Sequence, residues 1–294
     1  MKRTLTGLAA LVVLLFLPAG LHGQAADAFD WFPGGTYDPS VPTPAAFLGY
    51  EIGEDYTPHH RLEAYMRELA DASDRVSFGT YGQTNEGRDL ILMTVTSPAN
   101  HARLAEIRAN MGRLADPRGT SRAELDAIVG ESPAVVWLTY SVHGSENAGT
   151  EAAILTAYQL TAGTDEITRN ALDELVVLID PAANPDGRAR VVHDFQQRRG
   201  MTHETDPDGW EHVSAWPGGR TNHYLFDLNR DWAWQTQAET RQRIAEYLRW
   251  SPVVHVDLHE MGGDSYFFFP AATPVHSAIP EVMVKWQRIY GEGN

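Results

Sequence analysis

Cysteine is absent from this chain, so no disulfide can staple it and no thiolate can act as nucleophile or metal ligand. Any metal site must therefore use histidine and carboxylate. Positive charge is scarce: 23 Lys and Arg stand against 39 Asp and Glu, a formal net charge of −16. A nucleic-acid partner needs a basic face for its phosphates, so this balance argues against one. Beyond the first residues no apolar run is long enough to cross a bilayer. Internal repeats and low-complexity tracts are also lacking, which argues against solenoids and arrays. What is present is 294 residues, 43% of them hydrophobic. That is ample for a large core and unlike the composition of a disordered chain.

The N-terminus bears on compartment. Lys2 and Arg3 precede the apolar "LTGLAALVVLLFLPAG", and small residues follow in "LHGQAADA". Residues 1–23 thus read as a secretory signal peptide, with cleavage near Gly23 or Ala25. The competing reading, a retained anchor, suffers from the shortness of the run and the lack of a basic stop after it. The protein is expected to be secreted or periplasmic, with no stable membrane anchor after cleavage. Residues 24–55, rich in Pro, Gly and aromatics, have no regular period and predict an extended segment on the surface. Residues 56–294 then read as one folded domain.

From Thr57 the pattern becomes regular. Thr57 is placed to cap a helix with Pro58 at its first position, and "HHRLEAYMRELADAS" has helical spacing. "RVSFGTYGQ" and "RDLILMTVTS" predict two strands around "TNEG". "HARLAEIRANMGRL", "SRAELDAIVG", "GTEAAILTAYQLTAG", "QAETRQRIAEYLRW" and residues 275–290 predict helices. "AVVWLTYSV", the run ending in "VVLID", and "PVVHVDLHE" predict strands buried on both faces. "SYFFFP" reads as a further short strand, and residues 188–229 as a long polar loop. Buried strands alternating with helices predict an α/β fold, a three-layer α/β/α sandwich around a mixed, mostly parallel sheet. In such sheets ligands bind beyond the carboxyl ends of the strands. His143, Asn184 with Asp186, and His259 each follow a different predicted strand, so all reach one edge.

A catalytic zinc takes three protein ligands and keeps one position open. His143 and Glu146 leave one turn, and His259 lies 259 − 143 = 116 residues on. Asp257 is placed to orient neighbouring groups. Taken alone, the short pair reads first as a turn histidine and a helix N-terminal acid. His255 alternates with apolar residues and reads as a core or supporting group. His59, His60 and His101 read as exposed helix-start residues, and His193, His203, His212 and His223 fall in the long loop. In "FDLNRDW", Asn229 and Arg230 offer an amide and a guanidinium fork suited to a carboxylate, though most arginines form surface pairs. "NPDG" has the chemistry of a turn.

Together these residues resemble the M14 zinc carboxypeptidases related to carboxypeptidase A. HGSE at His143–Glu146, NPDG at Asn184–Gly187, DLNRDW at Asp227–Trp232 and DLHE at Asp257–Glu260 occur in that family's order. "YGQTNEGRDLILMTVTSP" resembles the start of its catalytic domain, and the likeness runs from Tyr56 to the last residue. The resemblance implies one Zn2+ on His143, Glu146 and His259, with Asn229 and Arg230 holding the substrate's terminal carboxylate. It further implies an arginine about fifteen residues after the NPDG asparagine; 199 − 184 = 15 selects Arg199, with Arg198 as the rival. The implied partner is a peptide with a free C-terminal carboxylate. The family's general-base glutamate lies on a late strand. No residue among the 294 − 259 = 35 after His259 matches it, so the chain reads as missing the C-terminal part of the fold, able to bind zinc but a poor catalyst. A zinc amidohydrolase or deacylase on the same fold, and a non-catalytic binding module, are the competing functions.

Overall fold

The structure is a computed structural model that describes residues 29–261 and 275–293. The signal-peptide reading and the "SYFFFP" strand lie outside the described residues. The chain divides into two compact units, one ending at Gly35 and the other beginning at Thr36. In the first, the Phe29 and Trp31 rings meet edge-on at 4.8 Å, and Asp30 Oδ1 accepts from the Phe32 amide.

The second unit carries every described strand. Its helices are α1 (Pro44–Leu48), α2 (His59–Ala72), α3 (Pro98–His101), α4 (Leu104–Ala115), α5 (Arg122–Glu131), α6 (Asn147–Ala162), α7 (Glu166–Glu174), α8 (Pro185–Arg198), α9 (Ala238–Trp250) and α10 (Glu281–Gly293). Its strands are β1 (Val76–Gln83), β2 (Asp89–Val95), β3 (Ala134–Tyr140), β4 (Leu175–Asp180) and β5 (Val254–Leu258), in the order β1-β2-β4-β3-β5. β2 is antiparallel to β1 and to β4, whereas β3 is parallel to both β4 and β5. Four of the five strands therefore point one way, as the alternation of apolar runs predicts.

The side-chain period of two divides each strand between two cores. Ile91, Met93 and Val95 of β2, with Val177 and Ile179 of β4, pack against Leu62, Met66 and Leu69 of α2 and Ile154 of α6. The alternate residues Leu92, Val176 and Leu178, with Val135 and Trp137 of β3, pack against Ile107 and Met111 of α4 and Trp250 of α9. Helices thus cover both faces of the sheet.

The structure departs from the sequence reading in several places. Residues 36–55 are not simply extended: Thr43 caps the short α1, and Val41 and Leu48 join the first core. Thr57 caps nothing. It is fully buried, and its amide and hydroxyl both donate to Glu151 at 2.7 Å. NPDG is not an isolated turn but the start of α8, with Asn184 as its N-cap. The polar loop therefore begins near Arg199, and Arg188 is a fully buried helix residue. His59 is buried and bonds the Asp89 carbonyl. β5 is not buried on both faces: among the described residues it pairs only with β3, and Val254 and Val256 are exposed.

Candidate metal centre

The carboxyl ends of three parallel strands are level. Thr139 of β3 pairs with Asp180 of β4 and with Asp257 of β5. Each strand then releases its chain towards the same edge. After β3, Ser141 adopts a left-handed φ of 52°, a costly conformation for a residue with a Cβ. The Ser141 hydroxyl is held by the Glu146 carbonyl and the Thr150 hydroxyl, and its carbonyl accepts from the Asn184 amide. The chain is thereby turned so that His143, 3% exposed, projects from the sheet edge.

Gly144 explains why a glycine separates the two candidate ligands. A Cβ there would lie 2.1 Å from the Arg188 amide nitrogen and 2.4 Å from the Gly187 carbonyl carbon, both backbone atoms. Gly187 is equally confined, its missing Cβ falling 2.3 Å from the Gly219 carbonyl. The HGSE turn, the first turn of α8 and the loop at Gly219 are thus stacked backbone on backbone. Asn184 ties them together: its Oδ1 accepts from Gly187 and its Nδ2 donates to the Arg220 carbonyl.

The structure brings together His143, Glu146 and His259, whose ligand atoms all lie within 4.8 Å of one another. His143 Nδ1 is 2.7 Å from Glu146 Oε1, and His259 Nδ1 is 3.0 Å from Glu146 Oε2. The rings are 5.0 Å apart. Their other nitrogens meet further carboxylates: His143 Nε2 meets Asp227 Oδ1 at 3.1 Å, and His259 Nε2 meets Asp257 Oδ2 at 3.1 Å. Glu260, next to His259, is turned away. Its carboxylate accepts from the Ala148 and Gly149 amides at the start of α6, which locks the β5 end to the HGSE turn.

This arrangement fits a divalent cation. Each imidazole stands between two carboxylates, yet a neutral ring has only one N–H to give. If the outer nitrogens donate to Asp227 and Asp257, both Nδ1 lone pairs point at Glu146. That contact is unfavourable unless a cation or proton lies between them. The donor set of two imidazoles and one carboxylate, with a carboxylate behind each imidazole, is that of a catalytic zinc site. The hydrogen bond to Asp257 is the main force raising the pKa of His259, with burial opposing and Glu146 reinforcing it. Burial acts to raise the Asp227 pKa, but its bonds to Arg220 and His143 outweigh that and hold it low.

The sequence reading overlooked Asp227 and Arg220. Arg220 grips Asp227 Oδ2 through Nε and Nη2 at 3.0 and 2.9 Å, so one carboxylate links this guanidinium to His143. Arg199 instead ends α8 and pairs with Asp55, while Arg198 lies over the Trp210 ring at 4.6 Å. Asn229 and Arg230 occupy the short turn directly after Asp227, where the Asn229 amide donates to Asp227 Oδ1. The exposed Arg230 guanidinium contacts only its neighbour's carbonyl and has no ion pair among the described residues. His255 is half-buried, close to the Thr139 hydroxyl and the Trp232 ring; burial lowers its pKa.

A mixed α/β sheet with a His/Glu/His cluster at the carboxyl edge of its parallel strands has the layout of a metal-dependent hydrolase. The chain matches the zinc carboxypeptidase family (peptidase M14) over residues 62–249, and it belongs to that family. Similar solved structures include a metallo-carboxypeptidase from Burkholderia cenocepacia, 18% identical with a TM-score of 0.44, covering 71% of this chain and 42% of that one. The carboxypeptidase A of Helicoverpa armigera is 16% identical, TM-score 0.43, covering 72% and 47%. A Pseudomonas aeruginosa metallo-carboxypeptidase, in complex with (2-guanidinoethylmercapto)succinic acid, is 18% identical, TM-score 0.43, covering 71% and 40%. The chain thus spans less than half the length of these three. No curated protein matches it.

Proposed function

We propose that this chain carries the metal centre of an exported zinc metallocarboxypeptidase, which releases the C-terminal residue of peptides. The observation that carries the reading is the convergence of His143, Glu146 and His259, each outer imidazole nitrogen held by its own aspartate. Zinc bound there would supply Lewis acidity, polarising a carbonyl and acidifying a water molecule. The chain's own residues do the rest. Asp227 and Asp257 fix the ring orientations. Arg220, rather than Arg199, stands one carboxylate from His143, placed to stabilise negative charge that develops on a carbonyl oxygen. Asn229 and the exposed Arg230 fork, which has no ion pair among the described residues, suit a terminal carboxylate.

The carboxylates that bond the imidazoles, Asp227 and Asp257, are both committed to those contacts, and Glu260 is bound to amides. Among the described residues no free carboxylate faces the cluster as a proton acceptor, so we infer low turnover for this chain alone. Export is proposed from the basic, apolar and small-residue succession at the N-terminus, and no helix among the described residues is long and apolar enough to cross a membrane.

The test is release of the last residue from N-blocked peptides with a free or an amidated C-terminus, using wild type and Arg230→Ala. Zinc-dependent release from the free form, with KM raised about tenfold or more in the variant, supports the reading. Equal hydrolysis of the amidated peptide sinks it.

A further inference from the structure

Directly beside the metal-binding turn lies a cleft of about 190 Å³ that the site above does not use. Ser145 and Asn147, the two neighbours of Glu146, form one wall; Tyr56, Asp194, Phe195 and Glu211 supply the others. At this size it suits one side chain rather than a whole ligand, since pockets for drug-sized molecules run to about 300–1,000 Å³. Tyr56 and Phe195 stand ring to ring at 4.5 Å and offer aromatic surface.

The charge of the lining is one-sided. The Glu211 side chain is 3% exposed, yet among the described residues no Lys or Arg pairs with it. Its Oε1 accepts from the Glu204 amide and lies 3.6 Å from His203 Nδ1 and 3.8 Å from His212 Nε2. His212 Nε2 is itself directed at the Glu204 carbonyl. Glu211 Oε2 has no hydrogen bond among the described residues. Asp194, from α8, accepts the Ala215 amide through Oδ2 and has no other hydrogen bond among the described residues. The arginines of this region are engaged elsewhere: Arg190 on the carbonyls of Gly218, Thr221 and Asn222, Arg198 over Trp210, and Arg199 on Asp55. Only imidazoles, which carry charge solely when protonated, stand near the Glu211 carboxylate among the described residues, and a permanent cation brought in from outside would offset the cost of burying it.

We infer that this cleft is a subsite for a basic side chain, arginine or lysine, of the peptide substrate. Both carboxylates would give it charge-assisted hydrogen bonds, and the aromatic pair would give it a stacking face. The inference rests on the metallocarboxypeptidase reading for its direction. Asn229 and Arg230, the proposed carboxylate anchor, do not line the cleft, so its occupant is a residue on the amino side of the scissile bond.

The test is calorimetric binding of acetyl-Ala-Xaa-Phe and acetyl-Xaa-Ala-Phe, with Xaa as Arg, Lys, Gln or Glu, to the zinc-loaded chain. Metal content is measured in parallel. In at least one series the Arg and Lys peptides should bind about tenfold or more tightly than the Gln peptide, the scale of a charge-assisted hydrogen bond, and the Glu peptide most weakly. Glu211→Gln and Asp194→Asn should each reduce that preference to about threefold or less while keeping wild-type zinc content and circular dichroism. Equal binding of all four residues, a preference unchanged in both variants, or no binding by a chain that holds zinc would each overturn the subsite. A chain that takes up no zinc would overturn the reading beneath it, which the metal measurement reports on its own.

Discussion

Replacing Gly144 with alanine tests the stacked backbone of the site with a single methyl group. The new Cβ would start 2.1 Å from the Arg188 amide nitrogen, and ordinary contact begins at 3.4 Å, so relief requires 3.4 − 2.1 = 1.3 Å of movement. No flexible side chain can absorb it, because the obstructing atoms belong to the first turn of α8. The HGSE turn must shift, and it carries His143 and Glu146 on either side. Overpacking of this kind costs about 1–3 kcal/mol. At about 2–4 °C per kcal/mol for a domain of this size, Tm should fall by about 2–12 °C. Metal ligation tolerates only about 0.2 Å of misplacement, so zinc affinity should fall by about 100-fold, the upper end of the cost of disturbed supporting contacts. Competition with a chromophoric chelator measures the affinity, and thermal unfolding in chelator measures the stability. Gly112→Ala is the control: it lies within α4, its Cβ meets nothing within 4 Å, and it should stabilise by up to about 1 kcal/mol. If Gly144→Ala binds zinc as tightly as wild type at an unchanged Tm, the close-packing argument is wrong.

Further outcomes follow from other contacts. Asp227→Asn keeps the shape but weakens the support of His143, and zinc affinity should drop about 10- to 100-fold in the same chelator assay; an unchanged affinity would remove Asp227 from the account. Glu151→Ala leaves the fully buried Arg188 without its ionic partner and should cost about 3–5 kcal/mol in denaturant unfolding; a loss under about 1 kcal/mol would show that the pair is not structural. Burial depresses the pKa of His59 below its ordinary 6.5. The folded protein therefore binds fewer protons than the unfolded chain just below that pH, and stability should decline as pH falls from about 6.5. His59→Gln should flatten that decline in unfolding midpoints taken from pH 7 to 5, and an identical slope in both proteins would discount the residue.

The buried runs of β3 and β4 were legible because unbroken apolar sequence between turns has few other uses. Their helical neighbours followed from a period near 3.6. The grouping of His143, Glu146 and His259 was legible through the resemblance of HGSE and DLHE to the zinc carboxypeptidases, since the short pair alone reads first as a turn histidine and a helix N-terminal acid. Other features were hidden for identifiable reasons. NPDG consists of four turn-forming residues, yet Asn followed by Pro is also the signature of a helix start, and Asn184 uses its side chain in that way. Thr57 has a capping residue's chemistry, but the buried Glu151, 94 positions away, engages it instead; no local pattern reports such a partner. β5 resembles β3 in sequence, while its exposure depends on what lies beyond it in the sheet. Arg220 was concealed among the arginines of a long segment, and only the position of Asp227 singles it out. Gly144 was visible as a letter, but its necessity exists only where α8 crosses the HGSE turn.

The most direct test of the account is zinc per chain in purified protein by mass spectrometry, after dialysis against trace metal. Wild type should hold one ion, and His143→Ala, Glu146→Ala and His259→Ala should each hold close to none while remaining folded. Near-equal zinc in wild type and all three variants would contradict the central claim.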